Sequence, residues 1–329
     1  RRVCQEFSVL FDARSPNPVP GNPVAQPCFV GVQTGLDRMG ADRSESLAVD
    51  EQEFSRQLVK ELCRYERVGH GRLFELVHRA YQGAIGAPSD LGMIFFHIHN
   101  PGTVEVACLC RAFPNTKLLQ VVRDPVRSLE SWIASSWPQP SDSSGACIDG
   151  EAVWAAYAEI ALRFSDLFRQ MSWYPELDIP KLAVRLEDIK LKTEETLSHI
   201  AKWAGIGWSE SFLKSTFAGH EYWGPESRLN PGLRGFEQPE RKATSKTLFS
   251  ESDELIMEAL FEPFRVHQGY TLHREFDSDS FAAVLERVEE PFGFEKALVS
   301  EALGDARALQ TLAPFVMIRA TLDRYVRSV

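Results

Sequence analysis

Apolar residues fall into two kinds of run along this chain. Over 49–66, VDEQEFSRQLVKELCRYE, they recur as Phe54, Leu58, Leu62 and Tyr65, a spacing that puts them on one face of a helix. The stretch RLFELVHRAYQGAIG (72–86) repeats the spacing and stops at glycine, a helix C-terminal signal. Helices are expected likewise over 103–113, 149–171, 193–206, 252–268 and 280–329. Between them stand short dense apolar runs: CFVGV (28–32), GMIFFHIHNPG (92–102), TKLLQVV (116–122) and PKLAVRLEDI (180–189). Such runs predict strands buried on both faces, because a half-exposed strand would alternate. Strand and helix take turns, which predicts an α/β fold: a central parallel sheet flanked by helices, with a helical C-terminal extension.

The same pattern divides the chain. Residues 1–27 are poor in pattern and carry Pro16, Pro18, Pro20, Pro23 and Pro27, so they read as an N-terminal arm. The α/β domain is expected over 28–273 and the helical extension over 274–329. From about 216 to 250 the chain turns polar and rich in Gly and Pro. A stretch of that kind inside a domain is usually functional or disordered.

Composition narrows the function classes. The 329 residues are 44% hydrophobic and 25% charged, as in soluble globular proteins. A net charge of −10 argues against general nucleic-acid binding, which needs a basic field, but leaves room for one local basic pocket. No run approaches the roughly 18 apolar residues of a membrane span, and no signal peptide is visible. Six cysteines are scattered, and Cys108-x-Cys110 on a helix is not a zinc pattern. Free thiols in a reducing, cytoplasmic compartment and no bound metal are the expectation.

Chemistry concentrates in LLQVVRDPVRSLESWIASSW (118–137). The strand should end at Val122, leaving Arg123 at its carboxyl end. Asp124 suits a helix N-cap and Pro125 the first helical position. The free N–H groups of the new helix, from Val126 on, then face the place where Arg123 points, which makes an anion site. Ser131 shares the side of Arg127 by four-residue spacing. An arginine fork and a hydroxyl can hold one phosphate from two directions. In HIHNP, His97 and His99 lie two apart, on one face of the expected strand. A histidine at the carboxyl end of a neighbouring strand can serve as a general base at neutral pH. Neither a Walker phosphate loop nor a Gly-x-Gly-x-x-Gly fingerprint is present in the sequence.

Together RDPVRSLES and HIHNP resemble the sulfotransferases that use 3′-phosphoadenosine 5′-phosphosulfate. In that family an R-[DN]-P corner is followed by a serine eight positions after the arginine, and both bind the 3′-phosphate of the donor. The resemblance gives those roles to Arg123 and Ser131. The family's K-T-H-L-P carries the catalytic base, which the resemblance places at His99, with His97 where the family has lysine. VRLEDI (184–189) resembles the strand end R-Y-E-D-L, and LSHIAKWAGI the helix after it. The likeness covers roughly residues 28–270.

The family's 5′-phosphosulfate loop, [KR]-S-G-T-T, has no counterpart here. QTGLD (33–37) keeps a hydroxyl at Thr34 and a glycine at Gly35 and is the nearest candidate; the loop is otherwise expected upstream of Arg1. LRGFEQPERK (233–242), with Arg234, Gly235 and Lys242, is the candidate for the late basic loop on the 3′-phosphate. The implied reaction is sulfuryl transfer to a hydroxyl or amine of a small-molecule or glycan acceptor, without a metal. The alternative is a non-catalytic relative that serves as a binding or scaffold protein. A homodimer or a larger parent chain is the expected setting for the C-terminal helices.

Overall fold

In the computed structural model, Asp50 ends an extended stretch and accepts hydrogen bonds from the N–H groups of Gln52 and Glu53, so helix α2 (Glu51–Leu62) starts with its free donors satisfied. The structure describes residues 4, 7–16, 30–87, 92–98, 103–137, 150–173, 178–224, 236, 249–272, 274–302 and 312–326. They are mostly helical, with a two-stranded parallel sheet. By internal contacts the chain divides into two units.

The first unit takes Arg1–Ile98, Leu109–Lys117 and Glu187–Glu240. It holds the one-turn helix α1 (Val30–Gln33), α2, and α3 (His70–Ala84). Its core gathers Phe11, Leu36, Met39, Leu47 and Phe54, with Phe54 set edge-on to Phe11 at 5.0 Å. Cys4, Phe11 and Ala13 of the expected N-terminal arm are buried in this core, while Phe7, Asp12 and Arg14 stay exposed. Tyr81 of α3 donates its hydroxyl to the Leu10 carbonyl, and burial pushes its pKa up to about 12. Also in this unit, Lys117 donates to the carbonyls of Trp203 and Ala204, at the C-terminus of α8 (Thr193–Ala204), where a cation suits the helix dipole.

Two expected strands take other forms. Val30–Gln33 is a helical turn, and Cys28 and Phe29 lie outside the described residues. Residues 93–98 carry no strand; Met93, Phe95 and Phe96 are exposed, and Phe96 meets the Phe74 ring of α3 at 5.1 Å. A short apolar run does not say by itself whether it will pair in a ladder, and here an aromatic side chain finds a ring instead.

The second unit takes His99–Cys108, Leu118–Leu186 and Arg241–Val329. Strands β1 (Leu118–Val122) and β2 (Lys181–Arg185) pair in parallel, Val122 opposite Arg185. The strand expected over 180–189 gives way at Leu186 to α7 (Leu186–Leu191), which from Glu187 on is counted with the first unit; Glu187 and Asp188 occupy its first turn and favour the positive end of the helix. α5 (Pro125–Ser136) follows β1, and α6 (Gly150–Trp173) is the hub. Against α6 pack α5, α11 (Gly293–Ala302) and α12 (Leu312–Val326). The core joins Leu129 and Ile133 of α5 to Phe164 of α6, Phe261 of α9 (Glu251–His267), Leu298 of α11 and Ile318 of α12. Described helices of the expected C-terminal extension thus share one core with the strand–helix corner. No helix among the described residues is long and apolar enough to cross a membrane.

Two carboxylates organise this core. Asp253 forms a capping box with Ser250 at the start of α9, and the same Oδ2 that takes the Ser250 N–H at 2.9 Å also takes the Gly293 N–H, at 2.8 Å, where α11 begins. A Cβ on residue 293 would stand 2.7 Å from that oxygen, so glycine is required by the close approach. Glu295, 1% exposed, accepts from the Tyr157 hydroxyl of α6 at 2.6 Å, from the Phe292 N–H, and from Arg319 of α12. The Arg319 guanidinium lies between the rings of Phe292 and Phe315. Burial pushes the Glu295 carboxyl above its ordinary value, while Arg319 and the two other donors pull it back.

Replacing Arg319 by Met leaves that carboxylate buried without its cation. The expected loss is about 3–5 kcal/mol at neutral pH, read from urea unfolding. Without Arg319 the folded-state pKa of Glu295 rises further above its unfolded value. Its contribution is then fully present below the unfolded pKa and lost as pH rises through the folded one. The gap between variant and wild type should therefore narrow in acid; a gap independent of pH would show that Glu295 is not the group left exposed to the loss.

Candidate functional site

The corner forms as its residue types require. β1 ends at Val122, and Asp124 stands outside the helix, with φ −49° and ψ 120°. Pro125 opens α5 without an N–H to leave unsatisfied, and the Asp124 side chain accepts the N–H of Arg127 at 3.0 Å. The other carboxylate oxygen of Asp124 lies 3.1 Å from Nε of Arg265, in the last turn of α9. Nε finds no aligned acceptor among the described residues, so this contact is an ion pair rather than a directed hydrogen bond. Arg265 is 5% exposed, and its Nη2 donates to the Thr271 carbonyl at 3.0 Å.

Arg123 stands half-buried at the strand end, and among the described residues it has neither a carboxylate nor a hydrogen-bond partner. Ser131 is exposed on α5, on the outward side with Arg127, whose guanidinium pairs with Glu130 at 3.0 Å. The buried face of α5 is Pro125, Ser128, Leu129 and Ile133. At the matching end of β2, Arg185 donates to the Gly269 carbonyl and lies over the Tyr270 ring, 5.4 Å from its centre. The loop after α9 is therefore bound to the ends of both strands, through Arg265 on one side and Arg185 on the other. Chemically the corner offers an arginine without a counter-charge among the described residues, the N–H of Val126 at a helix start whose next two N–H groups Asp124 already takes, and a capping aspartate already occupied by a cation.

Thr34 and Gly35 belong to the first unit, where they end α1. Gly35 has φ +82°, its N–H reaches Val32 O at 3.1 Å, and Leu36 N–H reaches Gly31 O at 2.8 Å. This is the left-handed glycine cap in which two successive N–H groups close the last carbonyls. The Thr34 hydroxyl donates back to Val30 O at 2.8 Å, and its carbonyl accepts from the Tyr222 hydroxyl. Their observed work is to stop a helix. His99, Arg234 and Gly235 lie outside the described residues, and His97 is exposed on a segment without regular structure. Among the described residues no group of three His, Cys, Asp or Glu side chains is placed to hold a metal ion.

Two residues of the corner were not read as part of it from the sequence. Arg265 carried a legible signal: it stands four positions after Phe261 on the apolar face of α9, where a charge demands a buried partner. Arg185 was in view within VRLEDI, as the arginine of the likeness to R-Y-E-D-L, but nothing there pointed to its partners in the loop after α9. Compared with family models, with curated proteins and with solved structures, the chain finds no match.

If Gly35 is a helix cap and not part of a phosphate-contacting loop, Gly35→Ala should lower stability by about 1–2 kcal/mol through the left-handed backbone alone. Affinity for phosphorylated nucleotides should stay at the wild-type level. A matched loss of affinity in calorimetric titration would return the turn to the binding site.

Proposed function

We propose that the chain binds the 3′-phosphate of 3′-phosphoadenosine 5′-phosphosulfate at the β1–α5 corner and transfers its sulfuryl group to an acceptor hydroxyl or amine. The observation that carries this reading is Arg123, a strand-end arginine without a counter-charge among the described residues, beside an aspartate-capped helix start. Parallel sheets of helix-covered proteins hold ligands at the carboxyl ends of their strands, and the corner lies at such an end. The reading includes a central parallel sheet wider than β1 and β2, and likeness to the sulfotransferases in RDPVRSLES and HIHNP. Arg123 and Ser131 hold the 3′-phosphate, and the late loop with Arg234 and Gly235 adds to it. His99 takes the proton of the acceptor as the acceptor oxygen or nitrogen bonds to sulfur. The sulfur–oxygen bond to the donor's phosphate breaks, and 3′-phosphoadenosine 5′-phosphate leaves with that electron pair. The acceptor is a small molecule or a glycan, and the compartment is cytoplasmic, in keeping with free thiols at Cys4, Cys63, Cys108 and Cys110.

A second reading has its own observation. Thr34 and Gly35 cap a helix, and the Thr34 hydroxyl is turned back onto its carbonyls, which favours a nucleotide-binding relative that lacks a phosphosulfate loop and does not turn over.

Calorimetric titration with 3′-phosphoadenosine 5′-phosphate tests the shared part. Arg123→Ala should weaken binding by about 1.5–3 kcal/mol, the range for a hydrogen bond to a charged group, and Ser131→Ala by less. Unchanged affinity in both variants overturns the site. Turnover separates the readings: with an acceptor that responds, His99→Ala should slow the reaction by about 10²–10⁴-fold and spare nucleotide affinity. Tight binding with no turnover across hydroxyl and amine acceptors selects the second reading.

A further inference from the structure

Asp124 raises a difficulty for any anion at this corner. Its carboxylate sits at the helix start itself, directly after Arg123, and by charge alone it would oppose a phosphate and cancel Arg123. A neutral cap such as serine would do the same hydrogen-bonding work without that opposition. The aspartate is instead met by Arg265, from a helix far along the chain, at 3.1 Å and with both side chains largely buried. We propose that Arg265 sets the charge of the site: it neutralises Asp124, so that the positive charge of Arg123 and the N–H of Val126, the one first-turn donor that Asp124 does not take, is left for the ligand. The inference rests on the reading that the corner holds a phosphate.

Three features support it. The pair is poorly screened, because Arg265 is 5% exposed and charges in such surroundings act over longer distances than at a surface. The contact joins charges without an aligned hydrogen bond, so Nε contributes its charge to Asp124 more than a directed bond. Nη2 is held by the Thr271 carbonyl, which carries no charge to compete for the cation. Arg127, the other nearby cation on α5, is paired with Glu130 and sits on the exposed side, so it does not take this role. Arg265 does not itself need to touch the nucleotide; it acts through Asp124.

A charge role and a bracing role predict opposite signs. Four full-length proteins are compared by calorimetric titration: wild type, Arg265→Met, Asp124→Asn, and the double variant. Asparagine keeps the helix cap. With 3′-phosphoadenosine 5′-phosphate, Arg265→Met should bind about tenfold more weakly and Asp124→Asn about tenfold more tightly, while the double variant should return close to wild type. If the pair only braces the corner, both single variants weaken and the double does not recover, and the inference is overturned. Equal affinity in all four also overturns it, with the nucleotide site left standing. Should Arg265→Met fail to fold, the comparison of Asp124→Asn with wild type decides, since only the charge role predicts tightening. Inorganic pyrophosphate is titrated in parallel. Wild type that binds pyrophosphate but not the nucleotide overturns the nucleotide reading alone, and the same four-way comparison with pyrophosphate still judges Arg265. Wild type that binds neither overturns both.

Discussion

The two oxygens of Asp124 are committed in different directions, and the geometry of the corner follows from that division. One closes the first turn of α5 and so fixes where the strand stops and the helix begins. The other meets a cation delivered by α9. A capping residue ordinarily answers only to its own helix. Here it also answers to tertiary structure, so the helix start and the C-terminus of α9 are set together. Arg185 adds a second tie between the strands and the loop after α9. The position of Arg123 is inherited from these contacts, although it makes none of them.

The rest of the second unit treats buried charge in the same manner. Glu295 and Asp253 are nearly inaccessible, yet each serves several donors at once. A lone carboxylate in an apolar core would be strongly unfavourable, and several aligned donors offset that cost. Such groups add little net stability over a well-packed apolar substitute, but they define which partner goes where. In a core rich in phenylalanine, where Phe164, Phe292 and Phe294 stack at about 6 Å, the polar contacts between α6, α11 and α12 add directed bonds to ring packing that has little directional preference of its own.

What could be read in the sequence was what depends on neighbours along the chain. The period of Phe54, Leu58 and Leu62 gave α2, and the Asp-Pro pair placed the start of α5 at Pro125, where it is found. The runs at 116–122 and 180–189 hold the two strands of the parallel pair, the second cut short at Arg185. Failures came where a short run had two outcomes of similar energy. CFVGV reads as a buried strand, but Gly35 lets the chain close a helical turn after it, and a single αL residue outweighs the strand preference of two valines. The 93–98 run is apolar enough for a strand, but aromatic contact with Phe74 needs no ladder. The Asp124–Arg265 pair joins positions 141 apart, and no local pattern carries that distance.

The capping box at Ser250 and Asp253 also bears on the order in which contacts can form. The bonds between these two residues span three positions, so they cost little chain entropy and can appear as soon as α9 nucleates. The bond from Gly293 to the same oxygen closes a separation of 40 residues. Contacts of that span form after local ones in most chains, because the loop must be closed before anything is gained. The acceptor of the distant bond is thus held by contacts that do not depend on α11. What remains to be ordered for that bond is mainly the backbone at Gly293, so the local cap lowers the entropy that the distant contact costs.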